Sequence, residues 1–228
     1  YIVKTIVTTD TVKSIAEKQN IKLYDCFTGF KWIATVMREN EGKARYLGGG
    51  EESYGFLAED FVRDKDAVSA VSLMAEIAAW GKEKGLDMNA ILIDIYKTYG
   101  YSKEKGVSLV RQGKSGAEEI AAIMKQFREN PIKSLAGSPV VMVKDFATLE
   151  AKDMTNGNVE KLDMPVTSNV LQYFTADGTK ISIRPSGTEP KIKFYMEVHD
   201  TLASAEEYEA TNVKAEEKLA VIAKELGI

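Results

Sequence analysis

The stretch KISIRPSGTEPKIKFY, residues 180–195, decides how the second half of the chain is read. Ile181 and Ile183 alternate with polar residues, and so do Ile192 and Phe194, which predicts two strands with one buried face each. The joint between them runs from Arg184 to Pro190. Turn formers dominate it, and by composition alone it reads first as a hairpin loop. The same residues also suit a phosphate monoester. Gly187 lets the backbone turn sharply and present its amides. Ser186 and Thr188 bring small hydroxyl donors, and Arg184 brings a planar fork that matches two phosphate oxygens.

Working outward, NVLQYFTADGTKISIR (169–184) predicts a hairpin turning at Asp177-Gly178. SPVVMVKDF (138–146) and IKFYMEVH (192–199) read as further strands. The tail from Ser204 to Gly227 reads as an amphipathic helix with a capping box, Ser204 with Glu207, and a seam of Leu219, Ile222, Ala223 and Leu226. Strands followed by a long helix predict a smaller α+β domain over residues 131–228, linker included.

Before Pro131 the pattern alternates strand with helix, which predicts an α/β domain over residues 1–130. Residues 2–7 and IKLYDC (21–26) are strand-like. DTVKSIAEKQN offers Asp10 as N-cap and Val12, Ile15 and Ala16 as one face; GFKWIATVMREN places Ile33, Val36 and Met37 at core spacing. In residues 66–85 the expected core stripe is Val68, Val71, Met74 and Ile77/Ala78, with Gly85 as the stop. A helix after Asp87 ends at Gly100, and another starts on a capping box of Ser115 with Glu118.

Composition narrows the function. Thirty Lys and Arg against 34 Asp and Glu give a net charge of −4, which argues against a general nucleic-acid binder and confines any phosphate recognition to a local site. Cys26 is the single cysteine, so there is no internal disulfide and a reducing, cytoplasmic setting is expected. No apolar run is long enough to cross a bilayer. The chain opens on YIVKTIVTT, already strand-like and without an initiator methionine, and is expected to be a piece of a longer protein.

A second loop, GGGEESYGF (48–56), stands out. Gly48, Gly49 and Gly50 would weaken a strand, so close approach of backbone to a ligand is the expected reason for them. Glu51 and Ser53 point the same way in an extended segment, and a carboxylate with a hydroxyl clamps adjacent sugar hydroxyls. An acidic surface turn is an equal reading of the residues alone. No Gly-Lys-Ser/Thr follows, so this is no Walker loop. Lys4 and Lys65 are cations within reach of a phosphate or simply solvated. The lone His199 and Cys26 read as structural, and Asp64 and Asp66 as charges at a helix start rather than metal ligands.

TGFKWI, GGGEESYGF, RDKDA and RPSGTEPKIKFY resemble, in this order, the second half of the α-D-phosphohexomutase family, and within it the bacterial phosphoglucomutase/phosphomannomutase group. The resemblance spans nearly the whole chain. It implies domains three and four of a four-domain enzyme: a mixed-sheet three-layer α/β sugar-binding domain, then a phosphate-binding domain with an antiparallel sheet and helices, like the TATA-box-binding protein. It implies that Glu51 and Ser53 grip ring hydroxyls and that Arg184, Ser186, Gly187 and Thr188 hold the non-reacting phosphate. Lys65, Lys4, Thr28 and Gly29 would line the same cleft; no role is assigned to Lys193. The full enzyme would be an isomerase of carbohydrate metabolism. This intramolecular phosphotransferase would interconvert hexose 1- and 6-phosphates through a phosphoserine and glucose 1,6-bisphosphate. The phosphoserine loop and the magnesium-binding loop of the family have no counterpart here, so no catalytic or metal residue is expected in this chain. Mg2+ would belong to upstream domains of the same polypeptide, and the chain alone would be inactive. A phosphopentomutase of the same family and a stand-alone phosphosugar-binding module are the alternatives.

Overall fold

A computed structural model describes residues 1–111, 113–187 and 189–228. Its contacts divide the chain into two compact units, Tyr1–Ser102 with Thr201–Tyr208, and Lys103–Asp200 with Glu209–Ile228. Among the described residues no helix is long and apolar enough to cross a membrane.

The first unit runs β1 (Ile2–Thr5), α1 (Thr11–Lys18), β2 (Leu23–Cys26), α2 (Phe30–Glu39), β3 (Gly48–Glu51), β4 (Gly55–Ala58), α3 (Ala67–Glu83) and α4 (Met88–Tyr99). Its mixed sheet has the order β2-β1-β3-β4, with β1 parallel to β2 and β3, and β3 antiparallel to β4. Parallel neighbours need crossovers, and α1 and α2 supply them. Phe30, Ile33 and Met37 fall on one stripe of α2 and pack with Val3, Cys26, Tyr46 and Leu57.

Three expectations for this unit change. The glycine triplet is not a loop: Gly48–Glu51 is strand β3. A Cβ at Gly49 would lie 2.5 Å from the Val3 carbonyl oxygen and 2.7 Å from Tyr46 Oη, so packing, not a ligand, requires that glycine. Asp10 precedes α1 but its carboxylate does not cap the helix; it lies 3.0 Å from Lys4 Nζ instead. In α3 the expected core stripe faces outward, with Val68, Val71 and Met74 at 78, 70 and 50 % exposure. The covered face is Ser69, Ala70, Leu73 and Ile77, ending on buried Gly81, whose Cβ position is taken by Ile91 of α4. This helix is apolar on most of its circumference, so spacing alone does not say which side is covered.

The second unit carries most of β5 (Tyr101–Val110), then α5 (Gly113–Glu129), β6 (Ser134–Leu135), β7 (Ser138–Asp145), β8 (Glu150–Asp153), β9 (Val159–Lys161), β10 (Leu171–Thr175), β11 (Lys180–Pro185), β12 (Lys191–Asp200) and nearly all of α6 (Tyr208–Leu226). The sheet order is β5-β12-β11-β10-β7-β8-β9, with β6 added on β7. From β12 to β9 every pair is antiparallel. The expected hairpin turns at Asp177-Gly178; Gly178 has φ 84°, and the Asp177 carboxylate accepts the hydroxyls of Thr175 and Thr179. Leu219, Ile222 and Ala223 of α6 are buried, as their seam predicts.

Two differences have physical causes. The expected division at 130/131 gives way to one near 102, because the apolar face of α5 finds its partner in this sheet. The Phe127 and Phe194 rings meet edge-on at 6.1 Å, and Tyr173 Oη donates to the Phe127 carbonyl at 2.7 Å. With α5 included, the second unit is no smaller than the first. Helix α5 also starts at Gly113, whose φ of 77° admits the turn into the helix, so Ser115 lies inside it and does not cap it. In the tail, Ala205–Glu207 is a 3-10 turn ahead of α6, and Ser204 makes no side-chain cap.

Candidate functional site

The GGGEESYGF and RPSGTEP segments belong to different units. In the first unit, Glu51 ends β3 and pairs with Gly55 across a turn of Glu52, Ser53 and Tyr54. Glu51 Oε1 accepts the Gly29 amide at 3.0 Å, at the N-terminal end of α2, where the helix dipole favours negative charge. Gly29 has φ 110°, a conformation side chains resist, so this amide depends on glycine. A Cβ on Gly55 would lie 3.2 Å from Glu51 Cγ and 3.4 Å from Lys65 Cδ, so the stems of Glu51 and Lys65 flank one glycine. Lys65 Nζ lies 3.0 Å from Asp64 and 5.9 Å from the centre of the Phe30 ring. The fold thus gathers Gly29, Glu51 and Lys65. Thr28 is half-buried beside Gly29, and Ser53 is exposed, its hydroxyl donating to Glu52 Oε1 at 3.3 Å.

Lys4 is placed differently. It is 3 % exposed, and its ammonium lies 3.0 Å from both Asp10 and Asp25. Burial pulls its pKa down, but the two carboxylates outweigh burial and hold it above the ordinary lysine value. An open cavity of about 650 Å³ adjoins β1 and β3. Ile2, Val12, Ile15, Leu47 and Phe56 make it mainly apolar, with Lys4, Thr8 and Glu51 as its charged and polar side chains. Cys26 is buried, and desolvation first, then Asp25 and Glu51, push its thiol up to about 12, which suits a packing role and not a nucleophile. Asp64 takes Lys65, and Asp66 caps α3 through the amides of Val68 and Ser69, as charges at a helix start do.

In the second unit, Ser186 to Pro190 joins β11 to β12, closed by the Ser186 amide donating to the Lys191 carbonyl at 2.8 Å. Thr188 lies outside the described residues. Arg184, Ser186 and Gly187 share a cavity of about 460 Å³ with Ser168, Asn169 and the α5 residues Ala117 and Ala121. Nothing lies within 4 Å of a Cβ built on Gly187, so packing does not require this glycine. Arg184 pairs directly across the strands with Lys193. Glu189 is the opposing charge; its ion pair with Lys191 holds its carboxyl below the usual glutamate value. Asn169 is oriented by Arg128, whose Nη2 donates to Asn169 Oδ1 at 2.7 Å and to Asp145 Oδ1 at 3.1 Å, while its Nε donates to Asp145 Oδ2 at 2.7 Å. Arg184 is the cation and Glu189 the anion in the lining of this cavity, whose α5 side is made of small and apolar residues.

Sequence reasoning did not single out Ser168, Asn169 or Glu52, and it named Lys193 without giving it a role. Lys193 was legible as the strand partner of Arg184 once the hairpin register was counted. Ser168 and Asn169 carried no signal, since only the pairing of β10 with β11 brings them to that loop.

The family model described as Phosphoglucomutase/phosphomannomutase, alpha/beta/alpha domain III, matches residues 1–99, and that of the family's C-terminal domain matches residues 114–215. The chain belongs to the phosphoglucomutase/phosphomannomutase family and represents its domains III and IV. It is 34 % identical over 217 residues to a phosphoglucomutase of Staphylococcus saprophyticus, covering 93 % of this chain and 39 % of that protein. It is 38 % identical over 193 residues to one of Staphylococcus epidermidis, covering 85 % of this chain and 35 % of that protein. The fold is also that of the Paramecium phosphoglucomutase parafusin in its open form (TM-score 0.59, 19 % identity, 99 % of this chain and 36 % of that one). A Burkholderia thailandensis phosphoglucomutase/phosphomannomutase family protein is similar (TM-score 0.53, 15 % identity, 99 % of this chain and 37 % of that one). The chain therefore spans well under half the length of these relatives.

Proposed function

We propose that this chain is the substrate-holding part of a phosphohexomutase that interconverts hexose 1-phosphate and hexose 6-phosphate. The observation that carries the proposal is the joint lining of one cavity by Arg184, Ser186 and Gly187, with Lys193 opposite Arg184. On this reading the second unit neutralises the phosphate that is not reacting, and Glu51 and Ser53 in the first unit hold the sugar, with Gly29 fixing the Glu51 carboxylate. Phosphoryl transfer depends on positioning and charge neutralisation, and these residues supply the positioning. The phosphoserine and Mg2+ that transfer the phosphoryl group belong to domains carried elsewhere in the polypeptide, as the family resemblance implies. Relatives named phosphoglucomutase favour a glucose phosphate as substrate.

The test is Arg184→Ala in the complete polypeptide. Removing one partner of a desolvated charge pair costs about 2–4 kcal/mol, so kcat/KM for glucose 1-phosphate is expected to fall by roughly 30- to 1,000-fold. An unchanged kcat/KM would refute the phosphate role.

A further inference from the structure

The contacts of Glu52, the first residue of the β3–β4 turn, bear on how its neighbours read a sugar; the inference rests on the sugar-holding role proposed above for Glu51 and Ser53. Glu52 Oε2 lies 3.2 Å from Thr5 Oγ1 and 3.0 Å from Thr8 Oγ1, and those two hydroxyls are 2.9 Å apart. Thr5 belongs to β1 and is fully buried, so this anchor is part of the sheet. Each hydroxyl has one proton and a carboxylate only accepts, so even with one threonine donating to the other, at least one threonine proton runs to Glu52 Oε2. Its other oxygen, Oε1, takes the proton of Ser53 at 3.3 Å. Glu52 therefore ties the turn to the end of β1 and commits the single proton of Ser53. What Ser53 presents to a ligand is lone pairs. The Glu51 carboxylate likewise has only acceptors to present.

We infer that Glu52 is a positioning residue whose hold on the Ser53 hydroxyl makes the Glu51–Ser53 clamp an all-acceptor reader, which selects a sugar by the protons of its hydroxyl groups. A ring hydroxyl replaced by fluorine keeps an acceptor and loses the proton. Such a substrate is bound no better than one with hydrogen at that position.

The experiment measures kcat/KM in the complete polypeptide for hexose 1-phosphates in which each ring hydroxyl in turn is replaced by hydrogen or by fluorine. The position read by Ser53 is the one whose deoxy penalty disappears in Ser53→Ala. There the deoxy and fluoro compounds are both expected to lose about five- to tenfold, and to lie within about twofold of each other. Glu52→Ala frees the Ser53 hydroxyl to rotate and donate. In that variant the fluoro compound is expected to recover about threefold over the deoxy one. A role in folding alone would lower all substrates in proportion, and that result would overturn the positioning role. A fluoro compound as good as the parent sugar with unaltered protein would overturn the acceptor polarity while leaving the sugar-holding role intact. If no deoxy penalty depends on Ser53, the sugar-holding role falls, and this inference with it.

Discussion

Consider an alanine placed at Gly49, in the middle of β3. Its Cβ would sit 2.5 Å from the Val3 carbonyl oxygen, 2.7 Å from Tyr46 Oη and 3.3 Å from Val3 Cβ. The nearest obstacle is the backbone of β1, which is paired on both sides and has nowhere to yield. The next is a buried tyrosine hydroxyl that donates to the Leu57 carbonyl at 3.1 Å. Overpacking of this kind costs about 1–3 kcal/mol, and displacing the Tyr46 hydrogen bond adds about 1 kcal/mol, so a loss of roughly 3 kcal/mol is expected. One residue earlier the geometry is open. A Cβ on Gly48 meets nothing closer than the Leu57 carbonyl oxygen at 3.5 Å. Gly48→Ala is expected to be neutral or to stabilise by about 0.5 kcal/mol, since glycine is a poor strand residue. Both tryptophans, Trp32 and Trp80, lie in the first unit, so urea unfolding followed by tryptophan fluorescence reports on it directly. Two variants unfolding within about 0.5 kcal/mol of each other would refute the packing argument for Gly49.

Other consequences can be measured alongside. Lys4 is held above the ordinary lysine value of 10.5, and burial raises Tyr46 and Tyr173 above the ordinary tyrosine value of 10.0. Each keeps its proton in the folded chain after the unfolded chain has released it. The stability they contribute is therefore whole below about pH 10 and is lost as pH rises beyond it, and a urea midpoint no lower at about pH 11 than at about pH 9 would contradict this. Tyr173→Phe removes the hydroxyl that ties β10 to α5 and is expected to cost about 1 kcal/mol, read as faster hydrogen exchange of the α5 amides. In the complete polypeptide, Lys193→Ala is expected to lower kcat/KM about tenfold, less than Arg184→Ala, because a lysine is a point charge without the bidentate fork. An effect equal to that of Arg184→Ala would reverse the assigned ranking.

Much of the candidate site was legible because its signals are local. Arg184, Ser186 and Gly187 lie within four consecutive residues, and a hairpin between two alternating strands keeps such residues together. Glu51 could be singled out for the same reason. Its hydrogen bond from Gly29 spans 22 residues and exists only because β1 pairs with both β2 and β3. Lys4 shows the limit. A cation among apolar residues reads as a ligand group or a solvated side chain, and only the folded chain reveals that Asp10 and Asp25 converge on it.

By itself the sequence determined what short-range periodicity encodes: strands that alternate, the stripe of α2, the turn at Asp177-Gly178 and the seam of α6. It was silent wherever partners come from distant parts of the chain. It could not say which side of the apolar helix α3 is covered, that Gly49 makes room for Val3 and Tyr46, or that α5 packs on β11 and β12. A residue's pattern reports the preferences of its own element, whereas a contact between elements depends on how both are packed, and that is settled only when the whole chain folds.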